Sequence, residues 1–233
     1  MEHLRPNGRR AKNAVSMVWA VLAMSFITTF FTLVDEVYIS IAGYPSTMDS
    51  FMVDIFYLVL GISGILYTMV YIASAVMFIM WFRRAYFNLH QLRGDLLYGE
   101  GWAAGGWFVP IMNLFVPYKI MKELYTKTNM IFSQNLETCT IRLHTDYLGW
   151  WWALWLISGI LSQISFRMAL SGDIYGAAAG LDTFVTLLYI PLTFITVKLI
   201  RDYSKIEETL AEIAANDTYD ISEEATIRME SHN

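Results

Sequence analysis

Only one cysteine, Cys139, occurs in 233 residues, so the chain can form neither an internal disulfide nor a Cys-x-x-Cys zinc or redox pair. Charge is scarce too. Asp, Glu, Lys and Arg make up 16% of the chain against 56% hydrophobic and 15% aromatic residues, and mean hydropathy is +0.42. Soluble domains carry about a quarter charged residues, so this composition belongs to an integral membrane protein. Basic residues never gather into a nucleic-acid-binding patch. The net charge of -5 comes from the carboxy-terminal stretch, where Arg201 to Asn233 holds nine acidic residues against three basic ones.

What is present is apolar length. Four runs, about 14–34, 51–82, 147–170 and 174–200, each hold the roughly 20 apolar residues that one helix needs to cross hydrocarbon. A basic leader, residues 1–13 with Arg5, Arg9, Arg10 and Lys12, precedes the first run. That run is longer than a signal-peptide core, and the small-x-small triplet Ser40-Ile41-Ala42 lies far downstream, so cleavage is not expected. The stretches 35–50 and 171–173 contain no Lys or Arg.

Between the second and third strong runs lies "GWAAGGWFVPIMNLFVPY", residues 101–118. If it crossed the bilayer, Lys119, Lys122, Lys127 and Arg142 would face outward, and after two further spans so would Arg201, Lys205 and the tail. That arrangement violates the tendency of Lys and Arg to stay cytosolic. Gly105 and Gly106 form helices weakly, and Pro110 and Pro117 lack N–H groups, so a lipid-facing helix here leaves backbone groups unsatisfied. The expected architecture is therefore all-α, with four spans and both termini cytosolic. The 101–118 segment is re-entrant or lies flat at the cytosolic interface, anchored by Trp102, Trp107 and Phe108, with Asn113 available to freed backbone groups.

Several residues suit the interface. Trp81, Arg83 and Arg84 close the second run, and Trp150, Trp151, Trp152 and Trp155 open the third. Lys119, Lys122 and Lys127, beside Ile120, Met121, Leu124 and Tyr125, give residues 118–130 an amphipathic pattern suited to anionic inner-leaflet lipid. In the tail, 201–233, Ile206, Leu210 and Ile213 align at helical spacing as a docking face for a partner or for the chain itself. From Asp217 onward the composition predicts disorder.

"FIMWFRRAYFNL", "GWAAGGWFVPIMNLFVPYKIMKEL" and "WWALWLISGILSQISFRM", in this order, resemble the bacterial membrane proteins of domain-of-unknown-function family 4328. The resemblance covers about Phe51 to Ile200. It implies a multi-pass protein of the bacterial cytoplasmic membrane and supplies no catalytic residue.

Ionisable groups within spans mark function by default. Asp54, Arg167 and Asp182, with Gln163, are expected to form a polar cluster in the outer leaflet, serving as helix–helix glue. Trp151, Trp155, Gly159, Gln163 and Arg167 recur every four residues and are expected to face the bundle interior, while Gly61, Gly64 and Gly176-x-x-x-Gly180 permit close helix approach. Gly61-Ile62-Ser63-Gly64 spells a rhomboid-like Gly-x-Ser-Gly, but no histidine falls within a span to act as base. His90 and His144 lack metal-ligand spacing, so neither metal nor cofactor is expected. Two functions remain. One is a non-enzymatic sensing or assembly module, docking anionic lipid, a protein partner or a second copy through its cytosolic face or tail. The other is a protein that binds or transports a small solute or lipid, its cavity lined by the re-entrant segment.

Overall fold

The structure, a computed structural model, describes residues 4–42, 50–134, 142–171 and 175–230. Cys139 and the stretches 43–49 and 172–174 lie outside it, as does the Ile213 side chain. All regular structure among the described residues is helical: α1 (Gly8–Ala42), α2 (Ser50–Leu92), α3 (Trp102–Gly105), a 3-10 turn (Met112–Leu114), α4 (Val116–Gln134), α5 (Leu148–Ser171) and α6 (Tyr175–Glu230). Four helices, α1, α2, α5 and α6, are long and apolar enough to cross a membrane.

Three of them outrun a bilayer. A crossing needs about 20 residues, whereas α1 has 35, α2 has 43 and α6 has 56. Helix α2 continues past Arg83 and Arg84 because Ala85, Tyr86, Phe87 and Leu89 are buried against protein, and packing of an apolar face is what sustains most helices. Helix α6 extends to Glu230, beyond Asp217. Its last third includes several Ala and Glu residues, which have good intrinsic helix propensity.

The chain divides into two compact units. The first, a four-helix unit, comprises Lys12–Phe78 and Asp146–Lys198. Small polar side chains join its helices: Thr29 and Thr186 share a 2.8 Å hydroxyl pair, Ser165 Oγ donates to the Ala178 carbonyl at 3.0 Å, and Trp151 Nε1 donates to Thr196 Oγ1 at 3.1 Å. Such residues let apolar helices approach and bond to one another where no water competes. Aromatic edges complete the packing, with Trp19 5.2 Å from Phe194 and Phe78 6.1 Å from Trp151.

The second, a three-segment unit, comprises Met1–Ala11, Ile79–Thr145 and Leu199–Asn233. Its core is Trp81, Phe82, Tyr86 and Leu89 of α2, Ile120, Met121, Leu124 and Tyr125 of α4, and Leu199, Ile200 and Tyr203 of α6, all fully buried. The buried α4 positions follow helical spacing. The apolar face of the amphipathic 118–130 segment is thus filled from within the protein, and Lys119 and Lys122 point outward. Pro117 breaks nothing, because it sits in the first turn of α4, where its missing N–H would have had no helical partner.

Candidate functional site

Polar chemistry concentrates inside the three-segment unit. Asn7, Asn88 and Glu207 are each more than nine-tenths buried and come one from each segment. Asn7 precedes α1; its backbone carbonyl accepts the first helical bond from the Ala11 N–H at 3.0 Å, which leaves its side chain free to act elsewhere. Asn7 Nδ2 donates to Glu207 Oε2 at 3.0 Å and to the Trp81 carbonyl at 3.2 Å. Asn88 Nδ2 donates to Glu207 Oε1 at 2.6 Å and to the Arg5 carbonyl at 2.9 Å, while Asn88 Oδ1 accepts the Arg5 N–H at 3.0 Å. The Arg5 peptide is therefore held from both sides, and its guanidinium lies 4.2 Å from the centre of the Phe87 ring.

Glu207 lies beyond the apolar stretch of α6 that ends near residue 200. Burial pushes its carboxyl up to about 7, although Asn88, Asn7 and the Arg84 charge each pull it down; nearby Glu208 adds a push upward. A buried carboxylate must be hydrogen-bonded to persist, and the two amides meet that need.

A second buried carboxylate orders the loop after α2. Glu123 accepts Tyr86 Oη–H at 2.7 Å and the Leu97 N–H at 2.8 Å. Nearby, Asp95 bonds Arg93 at 2.7 Å and Lys127 at 2.5 Å. These two cations, with Arg93 the larger influence, hold the exposed Asp95 carboxyl well below the usual carboxylate range.

Residues 101–118 form a compact knot. Backbone bonds close it turn by turn, from Gly105 N–H to the Gly101 carbonyl through Phe108 to Gly105, Asn113 to Val109 and Phe115 to Met112. A Cβ on Gly106 would fall 2.9 Å from both the Trp102 carbonyl and Val116 Cγ1, so only glycine fits there, while Gly105 faces open space. Trp107 packs edge-on to Phe82 at 6.3 Å. Asn113 Oδ1 accepts no hydrogen bond among the described residues. Pro110 lies in a turn and is exposed.

The expected interface residues divide. Trp150 is exposed, but Trp151 and Trp152 are buried and Trp155 stacks on Trp152 at 4.9 Å. Trp81 is fully buried and packs 6.3 Å from Tyr203. Arg83 reaches Glu100 at 3.5 Å on the surface, and Arg84 is half-buried. Lys127 is engaged with Asp95.

Among the described residues, the members of the expected polar cluster are not joined to one another. Asp54, Gln163, Arg167 and Asp182 are all exposed, and among the described residues no ion pair joins Arg167 to either Asp. Geometry explains why the four-residue stripe fails to stay inward. Each four-residue step advances about 40° beyond a full turn, so between Trp151 and Arg167 the stripe swings through about 160°. The buried line on α5 is instead Trp151, Ser158 and Ser165, at seven-residue spacing. Gly61, Gly64, Gly159 and Gly180 face open space; Gly176 alone of these span glycines meets a neighbour, Glu36. Ser63 Oγ donates to its own helix at Leu60.

A family model described as "Domain of unknown function (DUF4328)" matches residues 45–205. The chain belongs to this family. The DUF4328 match takes in Asn88, the 101–118 knot and Glu123 but stops short of Asn7 and Glu207, so two of the three residues of the Asn7–Asn88–Glu207 latch fall outside it. No curated protein and no solved structure matches the chain.

Sequence reasoning missed Asn7, Asn88, Glu123 and Glu207. A signal for Glu207 was present: Tyr203, Ile206, Glu207 and Leu210 share one helical face, and a carboxylate at an otherwise apolar position announces a buried partner.

Proposed function

We propose that this DUF4328 chain is a non-enzymatic module of the bacterial cytoplasmic membrane, whose three-segment unit forms a cytosolic docking platform. The observation that carries this reading is the Asn7–Asn88–Glu207 latch. Its support is one of parity. Asn7 precedes the first apolar run, Asn88 follows the second and Glu207 follows the fourth. If each run crosses once, the three residues share a side only when 101–118 enters and leaves by the same face. The clustering of Lys and Arg on these segments makes that face cytosolic.

The buried carboxylates of this unit tie segments together, Glu207 through two amides and Glu123 through the Tyr86 hydroxyl and the Leu97 N–H, which supports a structural platform. Transport needs a polar path toward Asn113 or Gln163, whereas Gln163 stands on the exposed side of α5.

The test is proximity in native membranes. In a Cys139→Ser background, cysteines replacing Gly8 and Glu208, whose Oε1 lies 4.0 Å from a Cβ built at Gly8, should join through a short bismaleimide within one chain. Failure of that cross-link, with both thiols reactive singly, contradicts the platform.

A further inference from the structure

We infer that the turn from Phe108 to Phe115 inserts into the headgroup layer of an anionic membrane, held there by Lys119 and Lys122. This rests on the cytosolic platform reading and names the surface through which the platform docks. Sequence pattern assigns lipid contact to the amphipathic α4, but Ile120, Met121, Leu124 and Tyr125 are spent on the protein core. The apolar surface that stays open belongs to the knot: Phe108 is 76%, Ile111 73% and Leu114 55% exposed, with Val109 and Phe115 beside them.

Three features identify lipid as the occupant. The Asn113, Leu114 and Phe115 N–H groups bond the Val109, Ile111 and Met112 carbonyls, and the hydrated headgroup layer can meet the backbone groups that remain. Charge points the same way, since residues 101–122 contain no Asp or Glu while Lys119 and Lys122 stand exposed where α4 begins. Lys119 Nζ lies 4.9 Å from the centre of the Phe115 ring, which couples a cation to the apolar tip, and Lys127 is already neutralised by Asp95. Trp102, 39% exposed, suits the same depth. The occupant is also at hand, because the chain carries four helices able to span a membrane.

The test uses the full chain, Cys139→Ser, in lipid nanodiscs, with Ile111→Cys bearing a polarity-sensitive bimane dye. In discs containing phosphatidylglycerol the emission should shift to the blue and be quenched by a shallow spin-labelled lipid. Each lysine near an anionic surface is worth about a five-fold change in partitioning, so Lys119→Glu with Lys122→Glu should return the dye to water. The shift should also be smaller in pure phosphatidylcholine. Iodide-accessible, water-like emission in both lipids overturns the inference and leaves the tip to a protein partner. Equal burial in neutral discs, unmoved by charge reversal, contradicts the anionic assignment. Concentration-dependent dye–dye quenching would assign the tip to a second copy. A dye at Gly94→Cys, on the exposed loop, should stay wet throughout. If impermeant reagents reach Gly94→Cys from outside intact cells, the platform reading fails instead.

Discussion

Replacing Glu207 by Gln should flatten the pH dependence of the three-segment unit's stability. Burial holds the Glu207 carboxyl at about 7 in the folded chain, against 4.5 for an ordinary glutamate. The folded state therefore binds the proton more tightly than the unfolded state. Stability linked to this group is fully present below about pH 4.5 and disappears as pH rises through about 7. With one pKa unit worth about 1.4 kcal/mol, the difference amounts to about 3 kcal/mol across that window. The assay is thermal or denaturant unfolding of nanodisc-embedded protein from pH 4 to 8, comparing wild type with Glu207→Gln. The subtraction removes every contribution common to the two proteins. Glutamine keeps an oxygen for the Asn88 amide but carries no charge to desolvate, so the variant should gain on wild type above pH 7 and match it near pH 4.5. Parallel profiles would refute the claim that a buried, titrating carboxylate holds these segments.

Other substitutions probe the same packing. Asn88→Ala removes both bonds to the Arg5 peptide and one to Glu207, and should destabilise by about 3 kcal/mol, with hydrogen exchange at residues 5–11 rising first; unchanged protection there contradicts the clamp. Tyr86→Phe strips a donor from buried Glu123 and should lower stability by about 1–3 kcal/mol, an effect absent if the 93–100 loop holds itself. Gly106→Ala should destabilise by about 1–3 kcal/mol through overpacking against Val116, while Gly105→Ala should be neutral or slightly stabilising, both read from melting curves. Arg167→Ala should change stability little, given its exposure; a large loss would show that Arg167 has a partner.

The four apolar helices were legible from length and composition, because hydrocarbon thickness sets a minimum run that the residues around 20, 65, 158 and 188 satisfy unambiguously. The broken 101–118 segment was legible from its glycines and prolines, although Pro117 opens a helix rather than disrupting one. Burial was less legible. A tryptophan near a membrane boundary reads as an anchor whether it faces lipid or protein, so Trp81 and Trp152 could not be told from Trp150, although the four-residue stripe did set Trp151 inward. The stripe from Trp151 to Arg167 misled because a four-residue repeat drifts around the helix over four turns. Asn7 and Glu207 are 200 residues apart, and no local pattern pairs one amide in a basic leader with one carboxylate in an acidic tail.

The central claim is that the amino-terminal segment, the stretch between the second and third apolar runs and the start of the tail share one side of the membrane. Single cysteines replacing Arg9, Ser133 and Arg201, all exposed, in a Cys139→Ser chain, test it with an impermeant maleimide. All three should resist labelling in intact cells and react in inverted vesicles; a single site that labels from outside, with the others protected, would contradict it.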